Sequence, residues 1–208
     1  MQIISHRGFW KRPVEKNSIQ AFERSFSKGF GTETDLRDLD GVIVISHDMP
    51  LYSEKLLTFE EFLSIYNKRK CTGVLALNVK ADGLQKKIKC SLDQYQITNY
   101  VLFDMSVPDT VVAIDYGLKY LSRCSDVELE LCLFDQAAGV WMDEFNEGWF
   151  TSKRLQWLLE KGKPVFVVSP ELHGRNHLDR WDELKPYSHF DLVLCTDFPD
   201  KARDFFGE

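Results

Sequence analysis

Short apolar runs and amphipathic stretches alternate along the 208-residue chain. The apolar runs are two-sided and rich in branched residues, which is typical of buried parallel strands. They predict strands at residues 2–5, 32–36, 42–46, 74–79, 100–105, 118–121, 131–134, 140–142, 164–169 and 192–195. The stretches between them have a helical spacing of apolar positions. They predict helices at residues 18–28, 58–68, 83–95, 108–116, 151–161, 178–184 and 198–206.

This alternation predicts an α/β fold. About eight strand and helix units without an internal boundary match a (β/α)8 TIM barrel better than a doubly wound sheet, which usually needs fewer strands. Thr58 and Glu61 form a capping-box pattern at the start of one predicted helix. No glycine-rich dinucleotide fingerprint or Walker loop follows the first strand. We therefore expect one compact barrel domain over residues 1–208.

Composition and charge narrow the range of possible binding partners. The 44% hydrophobic and 28% charged content is ordinary for a globular protein. A formal net charge of −6 gives no basic surface for nucleic acid. Met1 runs directly into a predicted strand and no apolar run reaches bilayer length, so we expect a cytoplasmic protein without integral membrane association. The oligomeric state stays open.

The five cysteines are scattered and lack the close pairing of zinc or redox motifs. We expect them to be reduced structural thiols, with Cys132 and Cys195 in predicted strands.

Two histidines stand at the ends of predicted strands, His6 after the first run and His47 after the run at 42–46. Between them, Glu33 and Asp35 alternate along an extended segment, so their side chains point to the same side. Two imidazoles beside two carboxylates indicate metal-assisted acid/base chemistry. Barrel active sites form at the carboxyl ends of strands. The candidates at predicted strand ends are His6, Arg7, Glu33, Asp35, His47, Asn78, Lys80, Glu171, His173 and Asp197.

The order and spacing of these residues resemble the motifs of the glycerophosphodiester phosphodiesterase family of phospholipase C-like barrels. The resemblance spans nearly the whole chain. It rests on His6-Arg7-Gly8, Asn17-Ser18, Glu33-Thr34-Asp35, Asp40-Gly41, His47-Asp48, Leu77-Asn78-Val79-Lys80 and Thr196-Asp197-Phe198-Pro199. It implies a barrel that hydrolyses small or lipid-derived phosphodiesters with a divalent metal ion.

The resemblance also implies which side chains hold the metal. Glu33 and Asp35 would be ligands, and Asn78 stands where the family has a third ligand, a glutamate. Oxygen ligands suit Mg²⁺ or Ca²⁺ better than zinc. Because Asn78 keeps a carbonyl oxygen but loses the charge, we expect weaker or differently tuned metal binding.

Four further roles follow from the resemblance and from the chemistry of a phosphodiester anion. Arg7 and Lys80 would bind the phosphate oxygens. His6 and His47 would act as general base and general acid, in an order that the sequence leaves open. By analogy, a substrate hydroxyl attacks first and gives a cyclic phosphate that water then opens.

The chain departs from the family in two N-terminal segments. The passage from His47 to the predicted helix at 58–68 is short, whereas the family carries an inserted subdomain there that covers the substrate glycerol. The site of this short, divergent member is therefore expected to be more open. Lys16 stands where the family usually has glutamate, and Glu15 is displaced by one position.

A late segment offers a replacement for substrate recognition. Glu171, His173 and Arg175 follow the predicted strand at 164–169 and would clamp a polar or phosphorylated head group. The alternative is that Glu171 and Arg175 merely pair at the surface. Three more charged residues end predicted strands, and at least one is expected to contact substrate: Asp104, Arg123 and Asp143.

Two other functions stay open at the level of sequence. One is a catalytically weakened barrel that binds a phosphate ligand without turnover, which the substitution at Asn78 favours. The other is a lyase that stops at the cyclic phosphate.

Overall fold

The structure, a computed structural model, describes residues 1–52 and 56–207. The chain divides into two compact units. We call Ser5–Tyr120 the N-terminal unit, and Met1–Ile4 with Leu121–Glu208 the C-terminal unit. The expectation of one domain over residues 1–208 stays a prediction. Residues 53–55 of the short passage after His47 lie outside the described residues.

The N-terminal unit is a mostly parallel sheet with helices between its strands. Its strand order is β5-β4-β2-β1, and β3 pairs antiparallel with β2. Asp35 in β2 pairs with Asn78 in β4, and Asn78 pairs with Phe103 in β5. The elements are β1 (Gln2–His6, which begins in the other unit), α1 (Ile19–Ser27), β2 (Gly31–Leu39), β3 (Val42–Ile45), α2 (Phe59–Lys68), β4 (Leu75–Val79), α3 (Gln85–Gln94), β5 (Tyr100–Phe103) and α4 (Val107–Asp115).

Helix starts in this unit follow capping chemistry. The Ser18 side chain accepts a hydrogen bond from the Ala21 N–H at the start of α1. Thr58 and Glu61 form the predicted capping box at the start of α2. Phe22 of α1 packs edge-to-face on Phe62 of α2, with ring centroids 4.7 Å apart. These contacts fix the two helices that flank the strand ends carrying the candidate site.

The C-terminal unit is a parallel sheet with strand order β9-β8-β7-β6. Trp181 is its largest fully buried side chain, and the indole N–H donates to Ser169 Oγ at 2.9 Å. The elements are β6 (Leu121–Ser125), β7 (Gly139–Asp143), α5 (Ser152–Leu159), β8 (Val165–Val168), α6 (Leu178–Leu184), β9 (Leu192–Thr196) and α7 (Pro199–Phe206).

The predicted alternation is confirmed, with two corrections. All seven predicted helices are present, and every predicted strand but one overlaps an observed strand. The strand predicted at 131–134 is wrong: Leu133 has a left-handed backbone there and Phe134–Gln136 is a 3₁₀ helix. The strand predicted at 118–121 begins instead at Leu121 and runs through polar residues to Ser125. Apolar content alone therefore predicted one strand that does not form and placed the start of another too early in the chain.

All five cysteines are free, as expected. Cys195 lies in β9, but Cys132 is exposed outside any strand, so its predicted placement is wrong. Among the described residues, no helix combines the length and the apolar character needed to cross a bilayer.

Candidate active site

The turn after β1 places two predicted site residues. His6 is the last residue of the strand and is buried, while Arg7 and Gly8 both have left-handed backbones. The Arg7 N–H donates to the Glu33 carbonyl at 3.0 Å and to Glu33 Oε2 at 3.3 Å. A Cβ on Gly8 would lie 2.8 Å from Ala21 Cβ. Glycine is therefore required here by both conformation and space.

Glu33 and Asp35 are buried at 3% and 0% exposure, on the parallel part of β2. Cations surround Asp35: Arg7 Nε lies 3.0 Å from Oδ2, and Lys80 Nζ lies 3.4 Å from Oδ1. His6 Nε2 lies 3.9 Å from Glu33 Oε2. The structure thus brings together five of the predicted site residues, the two carboxylates and the three basic side chains around them.

The electrostatics of the pair are unfavourable for two negative charges. Burial raises the pKa of Glu33 well above its ordinary value, and the charge of Asp35 raises it further. Arg7 and Lys80 oppose this rise without removing it. A bound cation would remove the penalty, because it would offset the charge of both carboxylates.

Asn78 supplies a third oxygen beside them. It is 7% exposed and pairs with Asp35 across the β2 and β4 strands. Its Nδ2 donates to Asp104 Oδ2 at 3.2 Å. Asn78 Oδ1 and Asp35 Oδ1 are both buried, and neither accepts a hydrogen bond from any described residue. We call Glu33, Asp35 and Asn78 the β2–β4 cluster.

The β2–β4 cluster fits a hard divalent cation. Its donors are carboxylate and amide oxygens, which Mg²⁺ and Ca²⁺ prefer, and two of these oxygens are buried without hydrogen bonds. In residues 1–52 and 56–207, no set of three His, Cys, Asp or Glu side chains is placed to hold a metal. A site here would therefore take its third protein oxygen from Asn78.

His47 follows β3 and is exposed. Its Nδ1 lies 2.7 Å from Asp48 Oδ1, and this hydrogen bond lowers the pKa of Asp48. Arg37 holds the segment, because its Nε donates to the His47 carbonyl at 3.0 Å and its Nη1 donates to the Lys80 carbonyl at 3.1 Å. Arg37 is not among the predicted site residues. Its signal is the i+2 position after Asp35 on the same strand, which places both residues on one face.

Asn17 links the first helix to the cluster. Its Nδ2 donates to Asp35 Oδ2 at 2.9 Å, and its Oδ1 accepts from Thr34 Oγ1 at 2.9 Å. The motif that carries the resemblance contains Asn17, but no role was predicted for it. The structure makes it a positioning residue for Asp35.

Glu15 fixes the loop before Asn17. It accepts hydrogen bonds from the Lys11 N–H and from Arg24 Nη1, both at 3.0 Å. These bonds lower the pKa of Glu15 to about 2. Lys16, which stands at the family's glutamate position, lies with its Nζ 4.6 Å from the centre of the Trp10 ring. The displaced glutamate thus anchors the loop within this chain.

The C-terminal unit holds the other three predicted substrate-binding residues. Glu171 accepts hydrogen bonds from the Asp197 N–H at 3.0 Å and from the Ser169 and Thr196 hydroxyls. It therefore ties the ends of β8 and β9 together. His173 Nε2 lies 2.7 Å from Asp143 Oδ1. Whether these residues bind substrate stays a prediction.

Arg175 belongs to a charge cluster around the buried Glu144. Its Nη1 and Arg180 Nη2 lie 2.9 and 3.0 Å from Glu144 Oε2. The Phe150 N–H donates to Glu144 Oε1 at 2.6 Å. We call Glu144, Arg175 and Arg180 the Glu144 cluster. The predicted surface pair of Glu171 with Arg175 is replaced by these separate buried partners.

The three additional strand-end residues have different neighbours. Asp104 contacts the β2–β4 cluster through Asn78, and Asp143 contacts His173. Arg123 lies inside β6 and pairs with Glu128, with its Nε 3.6 Å from Oε2. Of the three, Asp104 is the one placed in the N-terminal unit beside the predicted metal ligands.

No family model and no curated protein matches the sequence. Solved structures do match over nearly the whole chain. A proposed glycerophosphodiester phosphodiesterase from Galdieria sulphuraria is similar with a TM-score of 0.79 and 17% identity, covering 100% of this chain and 98% of that one. A glycerophosphodiester phosphodiesterase from Parabacteroides distasonis gives 0.70 and 19%, with coverages of 99% and 96%.

A phosphodiesterase from Oleispira antarctica, solved with the product sn-glycerol-3-phosphate, gives a TM-score of 0.68 and 15% identity, with coverages of 100% and 97%. At such low identities the comparisons establish the fold. They agree with the family resemblance of the motifs and confirm the predicted fold class. The chain has the (β/α)8 barrel fold that glycerophosphodiester phosphodiesterases of known structure share.

Proposed function

We propose that this protein is a divalent-metal-dependent phosphodiester hydrolase, similar to glycerophosphodiester phosphodiesterases. The β2–β4 cluster carries the proposal, because it holds two buried oxygens without hydrogen bonds beside two cationic side chains, Arg7 and Lys80. A buried polar atom without a hydrogen bond is costly, so the buried Asn78 Oδ1, which accepts none from the described residues, favours a bound ligand. The shared fold and the motif order support the same reaction class.

Glu33, Asp35 and Asn78 would hold the ion. When bound, a divalent cation neutralises charge on the phosphodiester and its leaving oxygen. Arg7 and Lys80 lie within 3.0 and 3.4 Å of Asp35 and would bind the nonbridging oxygens. Arg7 would also be aimed by its own backbone, since its N–H is fixed on Glu33.

His6 and His47 would be the acid/base pair. Asp48 accepts from the Nδ1 side of His47 and so leaves Nε2 to take or give a proton. Arg37 fixes the His47 backbone to the end of β4 and thereby limits how far this exposed imidazole moves. His6 is held next to Glu33, with its Nε2 3.9 Å from Glu33 Oε2.

A groove beside the cluster supports a lipid-derived substrate. It has a volume of about 550 Å³, and Asn17, which bonds Asp35, forms part of its wall. Its apolar wall includes Val14 and Ile19, which are 81% and 51% exposed. We propose that it takes the acyl chain of a single-chain phosphodiester, because its wall contains Asn17, which bonds the proposed metal ligand Asp35, together with the exposed apolar side chains of Val14 and Ile19.

The test of the reaction is hydrolysis of bis(p-nitrophenyl) phosphate and glycerophosphocholine with added Mg²⁺ or Ca²⁺. Turnover is expected with metal and should stop with chelator. His6→Ala and His47→Ala are each expected to lower kcat by about 10² to 10⁴, whereas His189→Ala should not. Binding of the diesters without turnover would instead support the phosphate-binding protein. Phosphorus NMR of the first product separates a hydrolase from a lyase that stops at a cyclic phosphate.

The test of the groove compares a lysophospholipid with glycerophosphocholine. Ile19→Asp is expected to lower kcat/KM for the lysophospholipid about tenfold, as loss of one buried aliphatic side chain would, and to leave glycerophosphocholine unchanged. Val111→Asp, an exposed valine on α4, is the control. Equal effects of Ile19→Asp on both substrates would refute the assignment of the groove.

A further inference from the structure

Asp104 lies directly behind Asn78 in the N-terminal unit. It follows Phe103, the last residue of β5, and Phe103 is the strand partner of Asn78. Its Oδ2 accepts the hydrogen bond from Asn78 Nδ2 at 3.2 Å. The opposite end of the same amide, Oδ1, is buried and accepts no hydrogen bond from the described residues. One end of Asn78 is therefore anchored and the other end is available to a ligand.

This anchor decides which way the amide points. A carboxylate accepts hydrogen bonds and donates none, so it pairs with the NH₂ end of an amide and repels the carbonyl end. Asp104 thus holds the Asn78 amide so that the carbonyl oxygen of Asn78, Oδ1, is turned away from Asp104. Without this partner the amide would be free to present NH₂, which no metal ion accepts as a ligand.

The backbone at Asp104 is unusual. Its φ is +62°, the left-handed region that side-chain-bearing residues seldom occupy and in which Asp and Asn are the best tolerated. This conformation ends β5 and places the carboxylate next to Asn78. The position therefore combines an uncommon backbone with a contact to the candidate site.

We infer that Asp104 is a positioning residue that completes a divalent cation site in this chain. Its carboxylate orients Asn78 Oδ1 toward the cation and supplies, one strand away, the negative charge that position 78 lacks. Such partners of a metal ligand set its orientation and basicity. The inference rests on the proposed function, since it assigns a further residue to the same site.

A charge-relocation experiment tests this inference by isothermal titration calorimetry with Mg²⁺ and Ca²⁺. Asp104→Asn keeps the shape of the side chain and is expected to weaken cation binding about 10- to 100-fold. Asn78→Glu alone is expected to give little gain, because the new carboxylate would face Asp104. The double variant Asn78→Glu/Asp104→Asn moves the charge to β4 and should restore the affinity to within about threefold of the wild type.

Asp126 provides a matched control. It follows the last residue of β6, as Asp104 follows that of β5, and its Oδ2 accepts from Asn146 Nδ2 at 2.6 Å. Asp126→Asn should leave cation affinity unchanged. Thermal unfolding of each metal-free variant checks that Asp104→Asn is folded. Rescue by the double variant is a readout that a purely structural role of Asp104 would not produce.

The outcomes separate this inference from the proposed function. If the wild type binds the cation and Glu33→Gln abolishes binding, but Asp104→Asn binds as the wild type does, the role of Asp104 is refuted and the metal site stands. A double variant no tighter than Asp104→Asn would refute it as well. If the wild type binds neither cation, the proposed function fails and this inference fails with it.

Discussion

Both units bury charged side chains on or just beyond their strands, Glu33 and Asp35 inside β2 and Glu144 just after β7, but they satisfy them to different degrees. In the β2–β4 cluster, Asn78 Oδ1 accepts no hydrogen bond from the described residues, and Asp35 Oδ1, which also accepts none, faces the Lys80 ammonium at 3.4 Å. In the Glu144 cluster, both carboxylate oxygens have partners, the Phe150 N–H on one and two arginines on the other. The carboxylates of the two clusters are similarly buried, but their oxygens differ in saturation; the buried atom without a hydrogen bond in the Glu144 cluster is a donor, Arg175 Nε.

This difference separates a binding site from a structural charge cluster. A buried carboxylate whose two oxygens already accept several hydrogen bonds has little capacity left for a ligand. A buried oxygen without a donor lowers stability until something binds it. The β2–β4 cluster therefore has the properties of a ligand site, and the Glu144 cluster has those of a structural charge cluster.

The largest effect is expected from a substitution that breaks the β2–β4 cluster. Glu33→Gln should lower kcat/KM for a phosphodiester by about 10³-fold, about 4 kcal/mol of transition-state stabilisation. The unfolding free energy of the metal-free protein should stay the same or rise, because burial penalises the Glu33 carboxylate. Steady-state kinetics and urea unfolding measure the two quantities. Glu23→Gln, on the surface beside Arg69, is the control; activity of Glu33→Gln within tenfold of wild type would contradict the account.

The next largest effect is expected from breaking the Glu144 cluster, and it is a loss of stability instead of a loss of activity. Glu144→Gln should lower the unfolding free energy by about 3 kcal/mol, since Arg175 and Arg180 would lose their buried charge partner. Urea unfolding measures this loss. Cation affinity of the folded variant should not change. A loss below about 1 kcal/mol, typical of surface pairs, would show that this cluster stabilises the fold no more than a surface ion pair does.

A smaller effect is expected at Arg37, which joins the His47 segment to the end of β4. Arg37→Ala should lower kcat about tenfold, because a catalytic group that is less well placed loses part of its rate advantage. Single-turnover kinetics give the value. Arg69→Ala, an exposed arginine paired with Glu23, serves as the comparison variant. Equal rates for the two variants would remove Arg37 from the positioning residues.

The smallest expected effect is the pH dependence of the stability that the Glu144 cluster contributes. Burial raises the pKa of Glu144, but the Phe150 N–H and the two arginines outweigh it, and the pKa is lowered. Such a carboxyl stabilises the fold above its unfolded pKa, near 4.3, and this contribution is lost as pH falls through the folded pKa. The stability difference between the wild type and Glu144→Gln should therefore be largest near neutral pH and shrink in acid. Urea unfolding over a pH series measures it, and a difference independent of pH would contradict this assignment.

Local sequence signals predicted much of the site. His6 and Arg7 lie at the end of β1, as predicted, whereas Glu33 and Asp35 lie inside β2, which runs on to Leu39; their alternation still points both to one side, and the structure places all four residues together. Caps such as Thr58 and Glu61 likewise depend on residues a few positions apart. These features could be predicted because their determinants are close together in the chain.

The misses depend on long-range contacts. Ser122 lies in a buried strand, and its hydroxyl donates to the carbonyl of Cys132, so the polar segment forms the strand and the apolar run at 131–134 forms a loop. The contact of Asn78 with Asp104 joins residues 26 positions apart. Neither contact has a signature in a single sequence, because each depends on the pairing of separate strands or loops.

The central claim is that the β2–β4 cluster binds a divalent cation and the Glu144 cluster does not. Isothermal titration calorimetry of Mg²⁺ and Ca²⁺ into the wild type, Glu33→Gln and Glu144→Gln tests it directly. We expect one cation site in the wild type, its loss in Glu33→Gln, and its retention in folded Glu144→Gln. No binding by the wild type, or equal binding by the wild type and Glu33→Gln, would contradict the account.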